Sequence, residues 1–190
     1  MRKLTVFNHV SLDGYFTDAD GEMSFARRMP NEDAEWDAFT AGNASGGGAL
    51  VFGRVTYEMM ASFWPTPMAM QSMPEVAAGM NRMQKVVFSR TLAEATWQNT
   101  RLVKGDLAAE TRKLKNESGP DMVIFGSGTI VAQLTQHGLI DGYQIIVNPV
   151  VLGRGRTLFE GGAKALKLRL SSSRAFRNGN VLLGYAPADA

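Results

Sequence analysis

Apolar residues fall into two rhythms along this chain. Short, essentially apolar blocks occur at 49–52 (ALVF), 85–88 (KVVF) and 122–125 (MVIF). Such blocks predict strands buried on both faces, while the stretches between them carry apolar positions three and four apart, the spacing of helices with one face on a core. Residues 3–10 predict a first strand, followed by an Asp- and Gly-rich loop from Ser11. Asn31 is placed to cap a helix over 32–43 with Trp36 and Phe39 on one face. A helix over 55–63 is stopped by Pro65 and Pro67, and another covers roughly 74–83. A strand is expected at 100–104, and a helix opens at Asp106 and ends near Gly119-Pro120. A helix over 130–137 is closed by Gly138, and a long strand runs over 143–153. The alternating residues 166–176 and 181–186 flank Asn178-Gly179, a hairpin signal.

Strand and helix thus alternate before a run of strands. The order predicts an α/β protein, one domain over 1–190, with a mostly parallel central sheet and an antiparallel C-terminal edge.

Composition narrows the function classes. The chain of 190 residues is 45% hydrophobic and 20% charged, the make-up of a globular protein. A formal charge of +2 without a dense basic cluster argues against general nucleic-acid binding. There is no cysteine, which removes disulfides, thiolate nucleophiles and cysteine-based metal sites. No run approaches the ~18 apolar residues of a membrane span, and MRKLTVFNHV reads as a strand rather than a signal peptide. A cytoplasmic protein that does not engage membranes is expected. His9 and His137 lack ligand-like spacing, so no metal site is expected. The methionines around 74–83 read as core residues that fill gaps.

Three strand-to-helix junctions carry unusual chemistry, and ligands of open α/β sheets sit beyond the carboxyl ends of the strands. The first is Gly53-Arg54-Val55-Thr56. A glycine turn, a hydroxyl and the N–H groups of the next helix suit a phosphate; a tight turn with an exposed arginine reads equally well. The second is Gly126-Ser127-Gly128-Thr129, whose glycines would let backbone N–H groups approach a pyrophosphate. It fits neither standard nucleotide fingerprint, and a simple capped helix start is the alternative. The third is Ser89-Arg90, a pair able to clamp a phosphate monoester or to be a surface turn. The glycine-rich stretch 152–162 reads as a loop that shapes a substrate pocket. Asp33 reads as an ordinary carboxylate in the first turn of its helix.

Five segments in order resemble a known family: SLDGYF at 11–16, VFGRVTYE at 51–58, VVFSRT at 86–91, IFGSGTIVAQL at 124–134 with GLID at 138–141, and NPVVLGRGRTLF at 148–159. They are similar to the dihydrofolate-reductase-like reductases. Within these they most resemble the C-terminal reductase domain of the bifunctional riboflavin-biosynthesis deaminase-reductase, in stand-alone bacterial form. The resemblance implies a three-layer dihydrofolate-reductase-like fold, NADPH as cofactor, a small-molecule substrate and a homodimer. It implies that Gly53, Arg54 and Thr56 bind phosphates, and that Ser89 and Arg90 meet the adenosine 2′-phosphate. Gly126, Ser127, Gly128, Thr129 and Ile130 would lie beneath the pyrophosphate and nicotinamide.

One position departs from the family pattern. Riboflavin-pathway reductases usually carry a glutamate just before the Gly-Gly pair, where this chain has Phe125. The family's other acid is kept as Asp13, the expected catalytic residue, supplying a proton directly or through a water. The expected activity is hydride transfer from NADPH to a small heterocyclic or sugar-like substrate, as in the 5-amino-6-(5-phosphoribosylamino)uracil reductase family. A non-catalytic nucleotide-binding protein on the same fold is the alternative. A protein with no nucleotide site would not bring Gly53, Arg90 and Gly128 to one groove.

Overall fold

The computed structural model describes residues 1–26, 33–161 and 165–188. Ten strands and six α-helices follow in order: β1 (Leu4–Ser11), β2 (Tyr15–Thr17), α1 (Ala34–Ser45), β3 (Ala49–Gly53), α2 (Arg54–Phe63), α3 (Pro67–Ser72), α4 (Pro74–Arg82), β4 (Lys85–Phe88), β5 (Thr100–Val103), α5 (Leu107–Asn116), β6 (Met122–Phe125), α6 (Gly128–Gln136), β7 (Gly142–Asn148), β8 (Arg156–Thr157), β9 (Leu168–Ala175) and β10 (Val181–Pro187).

Eight strands form one sheet in the order β5-β4-β3-β6-β1-β7-β10-β9. The pairings from β5 to β7 are parallel, while β10 joins β7 and β9 antiparallel. The two faces of the sheet carry different cores. Leu4, Val6, Val51 and Ile124 pack with Leu114 of α5 and with Val131 and Leu134 of α6. On the other face Leu50, Phe52 and Val87 meet Tyr57, Met80 and Trp97. Further along that face, Trp36 and the half-buried Phe39 of α1 meet Phe7, Ile146 and Phe176. The result is three layers, helix on sheet on helix. Among the described residues no helix is long and apolar enough to cross a membrane.

Most elements lie where the apolar rhythm puts them, and the departures have physical causes. Helix α1 starts at Ala34, where Asp33 is the N-cap and its Oδ1 accepts from the N–H groups of Glu35 (3.0 Å) and Trp36 (3.2 Å). The expected cap, Asn31, lies outside the described residues. Strand β7 stops at Asn148 rather than 153, because Pro149 has no N–H to continue a ladder. Pro67 does more than stop α2: it opens α3, with Thr66 capping the Ala69 N–H. Part of the expected loop 152–162 instead forms β8, which pairs antiparallel with β2. Met80 and Met83 are buried, as core methionines, whereas Met68 and Met70 of α3 are exposed.

Candidate functional site

The order β4-β3-β6 sets the three unusual strand ends side by side. Gly53 pairs in register with Phe88, the residue before Ser89, and Val51 pairs with Ile124. Gly53, Arg90 and Gly128 therefore follow one another along a single edge.

The junctions after β3 and β6 are locked together. The Gly53 N–H donates to Ser127 Oγ at 2.9 Å, and the Ser127 N–H donates to Thr56 Oγ1 at 3.1 Å. Ser127 Oγ–H donates in turn to the Phe125 carbonyl at 3.2 Å. The Ser127 hydroxyl is thus spent on bracing the two strands, which leaves the backbone of this turn as the part able to meet a ligand. Among the described residues the Thr56 hydroxyl uses only an acceptor site, which leaves its proton for a ligand. Gly126 and Ser127 both adopt left-handed backbone, with φ of 60° and 56°. A Cβ on Gly126 would lie 2.9 Å from Thr56 Cγ2, so only glycine fits this approach. Asn8, buried in β1, fixes the same turn by donating from Nδ2 to the Gly126 carbonyl at 3.0 Å.

These turns aim two helix starts at one place. Helix α2 begins after Gly53 and α6 after Ser127, and neither has a side-chain cap. The first backbone N–H groups of both helices, including those of Gly128, Thr129 and Ile130, are left for another acceptor, and both dipoles favour an anion. In α1, α3 and α5 a side chain of Asp33, Thr66 or Asp106 fills that role. A Cβ on Gly53 would come within 3.2 Å of Ile130 Cγ1, so α6 packs close against the end of β3.

Charge is supplied from the flank. Arg90 is exposed and makes no hydrogen bond or ion pair among the described residues. Ser89 Oγ accepts from the N–H groups of Thr91 (3.2 Å) and Leu92 (2.9 Å), so it shapes the turn that presents Arg90. Arg54 pairs with Glu58 at 2.8 Å on the surface. An exposed pair of this kind is worth about 0–1 kcal/mol and yields readily to a stronger anion.

Asp13 lies in the loop between β1 and β2. Its carboxylate accepts from Ser11 Oγ (2.6 Å) and from the backbone N–H groups of Leu152 (3.1 Å) and Gly153 (2.7 Å). The Ser11 bond foremost, then partial desolvation opposing it, then the two backbone bonds set its pKa, which is lowered overall. A carboxyl held ionised in this way is a poor proton donor. Asp13 ties the loop after β1 to the loop after β7, and the geometry gives it a positioning role. The β2–β8 ribbon continues that tie: Phe16 lies against Gly128, where a Cβ would be 3.2 Å from its ring. Leu158, just beyond β8, is buried beside it.

Beyond β6 the neighbouring end is that of β1. Its residues Phe7 and His9 face α1, with Phe7 5.2 Å from Phe125 and 6.2 Å from Phe39 between ring centroids. His9 stands edge-on to Phe7 (5.8 Å) and to Trp36 (5.9 Å). Burial among these rings pushes the His9 pKa down to about 4, with the Asn148 contact opposing, so the imidazole is neutral near pH 7. Among the described residues no cluster of His, Asp and Glu is arranged to hold a metal ion. The residues missed in the sequence are Asn8, Asn148 and Phe16. A polar residue inside the apolar run LTVFNHV was the one signal available for Asn8.

Comparison with known proteins agrees with this architecture. The chain is 25% identical over 184 residues to an uncharacterized protein of Bacillus subtilis (strain 168), YyaP, covering 97% of this chain and 94% of the relative. The crystal structure of a putative riboflavin biosynthesis protein from Shewanella sp. PV-4 superposes with a TM-score of 0.69 at 23% identity, covering 97% of this chain and 98% of that one. A dihydrofolate reductase from Enterococcus faecalis, complexed with NADP(H), superposes with a TM-score of 0.65 at 14% identity, covering 98% of this chain and 97% of that one. The fold is therefore dihydrofolate-reductase-like. The profile of the RibD C-terminal domain matches residues 2–182, and the chain accordingly belongs to the RibD C-terminal domain family, a family of reductase type.

Proposed function

We propose that the protein is an NADPH-dependent reductase acting on a small ring-bearing substrate. The observation that carries this reading is the adjacency of two uncapped helix N-termini, α2 and α6, on the strand ends beside Arg90, which makes no ion pair among the described residues. Two sets of free N–H groups and the Thr56 hydroxyl suit a diphosphate. An arginine fork one strand further along suits a phosphate monoester such as the adenosine 2′-phosphate. The residues thus fit NADPH better than NADH.

When bound, the dinucleotide supplies a hydride for an electrophilic carbon of a C=N or C=O group, and the adjacent nitrogen or oxygen takes up a proton. The protein's share is placement. The α2 and α6 N–H groups and Thr56 hold the diphosphate, and Arg90 holds the 2′-phosphate. Asp13, by fastening Leu152 and Gly153, fixes the β2–β8 ribbon against the start of α6. Water is the proton source in this account, because Asp13 is held ionised.

Steady oxidation of NADPH by a ring substrate, lost on substitution of Gly126, tests the reading. Tight NADPH binding without turnover on any C=N or C=O substrate would favour a non-catalytic nucleotide-binding protein. The unpaired edge strand β9, with Leu168 and Leu170 exposed, supports assembly as a homodimer. A monomeric mass in solution would refute that assembly.

A further inference from the structure

One peptide unit in the nucleotide groove is gripped at both ends, and the role given to that grip rests on the reductase reading above. Strand β6 lies between β3 and β1 in the sheet. The peptide that joins Gly126 to Ser127, just past the end of β6, reaches toward both neighbours. Its carbonyl accepts from Asn8 Nδ2 of β1 at 3.0 Å, and its N–H donates to Thr56 Oγ1, past β3, at 3.1 Å. A carbonyl only accepts, so the Asn8 atom that meets it is the donor nitrogen. Asn8 is 2% exposed, and a polar side chain buried to that degree needs such a partner.

The grip holds a backbone state that Ser127 does not favour. Its φ of 56° is left-handed, a conformation that serine rarely adopts. Turning the 126–127 peptide plane by half a turn would bring Ser127 φ into the ordinary negative range, while Gly126, with no Cβ, accepts either orientation. The turned orientation would change the groove in two ways. The Gly126 carbonyl would face Thr56 and take up the hydroxyl proton otherwise left for a ligand. Ser127, at the N-cap position of α6, would gain the negative φ from which N-cap serines accept the first N–H groups of a helix. In the structure that cap is not made, and Ser127 Oγ is engaged with Gly53 and Phe125 instead. The observed orientation thus keeps the anion-binding groups open, and the turned one would close them.

We infer that Asn8 is a positioning residue for the nucleotide: by holding the Gly126 carbonyl it keeps the start of α6 and the Thr56 hydroxyl open to a diphosphate. Asn8 acts through the peptide and touches no ligand itself. Without it the peptide keeps only Thr56, whose hydroxyl serves either orientation, since it can accept from an N–H or donate to a carbonyl.

The test is calorimetric titration of the native protein, Asn8→Leu and Asn8→Asp with NADP+, in buffers from mildly acidic to mildly alkaline. Asn8→Leu has no donor at any pH. It is expected to bind NADP+ about tenfold more weakly throughout, the loss that follows when the competent orientation falls to about a tenth of the population. Asn8→Asp keeps the shape of the side chain. Its neutral carboxyl donates to the Gly126 carbonyl, whereas its carboxylate only accepts and favours the turned peptide. Its affinity relative to the native protein should therefore be intact in acid and fall as pH rises. A purely structural role for Asn8 would lower stability without this profile. A folded Asn8→Leu protein that binds NADP+ as the native one does overturns the inference, as does an Asn8→Asp deficit that does not change with pH. If the native protein fails to bind NADP+, the reductase reading falls, and inorganic pyrophosphate becomes the probe. Pyrophosphate binding that Asn8→Leu weakens then supports the role of Asn8 by itself, and its absence from the native protein overturns that role too.

Discussion

Ser127 Oγ accepts the Gly53 N–H at 2.9 Å across the ends of two neighbouring strands. That bond joins residues 74 positions apart and fixes the spacing of the α2 and α6 starts. Ser127→Ala leaves the Gly53 N–H without its partner. The expected cost is about 1–3 kcal/mol in a urea unfolding titration, with a matching loss of nucleotide affinity. An unchanged midpoint would show that water replaces the hydroxyl freely.

Gly126→Ala sets a Cβ into left-handed backbone, 2.9 Å from Thr56 Cγ2. The left-handed conformation alone costs about 1–2 kcal/mol, and the clash adds to it. Thr56→Ser removes Cγ2 and keeps the hydroxyl. The double variant Gly126→Ala/Thr56→Ser should therefore be more stable than the sum of its single effects by about 0.5 kcal/mol or more. Strict additivity in thermal melts would contradict this contact.

His9 makes stability depend on pH. Its folded pKa of about 4 lies below the ordinary 6.5, so the unfolded chain binds the proton more readily. Stability is complete above about pH 6.5 and falls as pH drops toward 4, by about 3 kcal/mol in all. His9→Phe should flatten the curve over that window. A curve of unchanged slope in the variant would assign the acid sensitivity to other groups.

Lys85 is 1% exposed, and its Nζ donates to the carbonyls of Asn81 (3.1 Å), Met83 (2.7 Å) and Gln98 (3.2 Å) while lying 4.4 Å from the Trp97 ring centroid. This ammonium ends α4 and joins it to the start of β5. Lys85→Met keeps the stem and removes all three donors, with an expected loss of about 2–3 kcal/mol. Activity per folded molecule should be unaffected, because Lys85 is at the opposite end of β4 from Arg90.

The junctions were legible in the sequence because their chemistry is local. An apolar block followed by Gly53-Arg54 or Gly126-Ser127 announces a strand end and a helix start within a few residues. The sheet order, which makes neighbours of those junctions, is consistent with the alternation of strand and helix but is not spelled out by it. The β2–β8 ribbon was illegible: Tyr15–Thr17 and Arg156–Thr157 are too short to show a period, and their pairing spans most of the chain. The contacts of Asp13 were illegible, because the N–H groups that hold it come from Leu152 and Gly153, 139 and 140 positions away.

The most direct test of the account is Arg90→Ala titrated with NADPH and with NADH, by thermal unfolding at matched concentrations. Saturation at about 100 times the dissociation constant should stabilise the native protein by about 2.7 kcal/mol, a rise of roughly 5–11 °C for a chain of this size. The account predicts that the native protein responds to NADPH far more than to NADH, and that Arg90→Ala removes the difference. A native protein that responds to neither cofactor, or an Arg90→Ala variant that loses both equally, would contradict it.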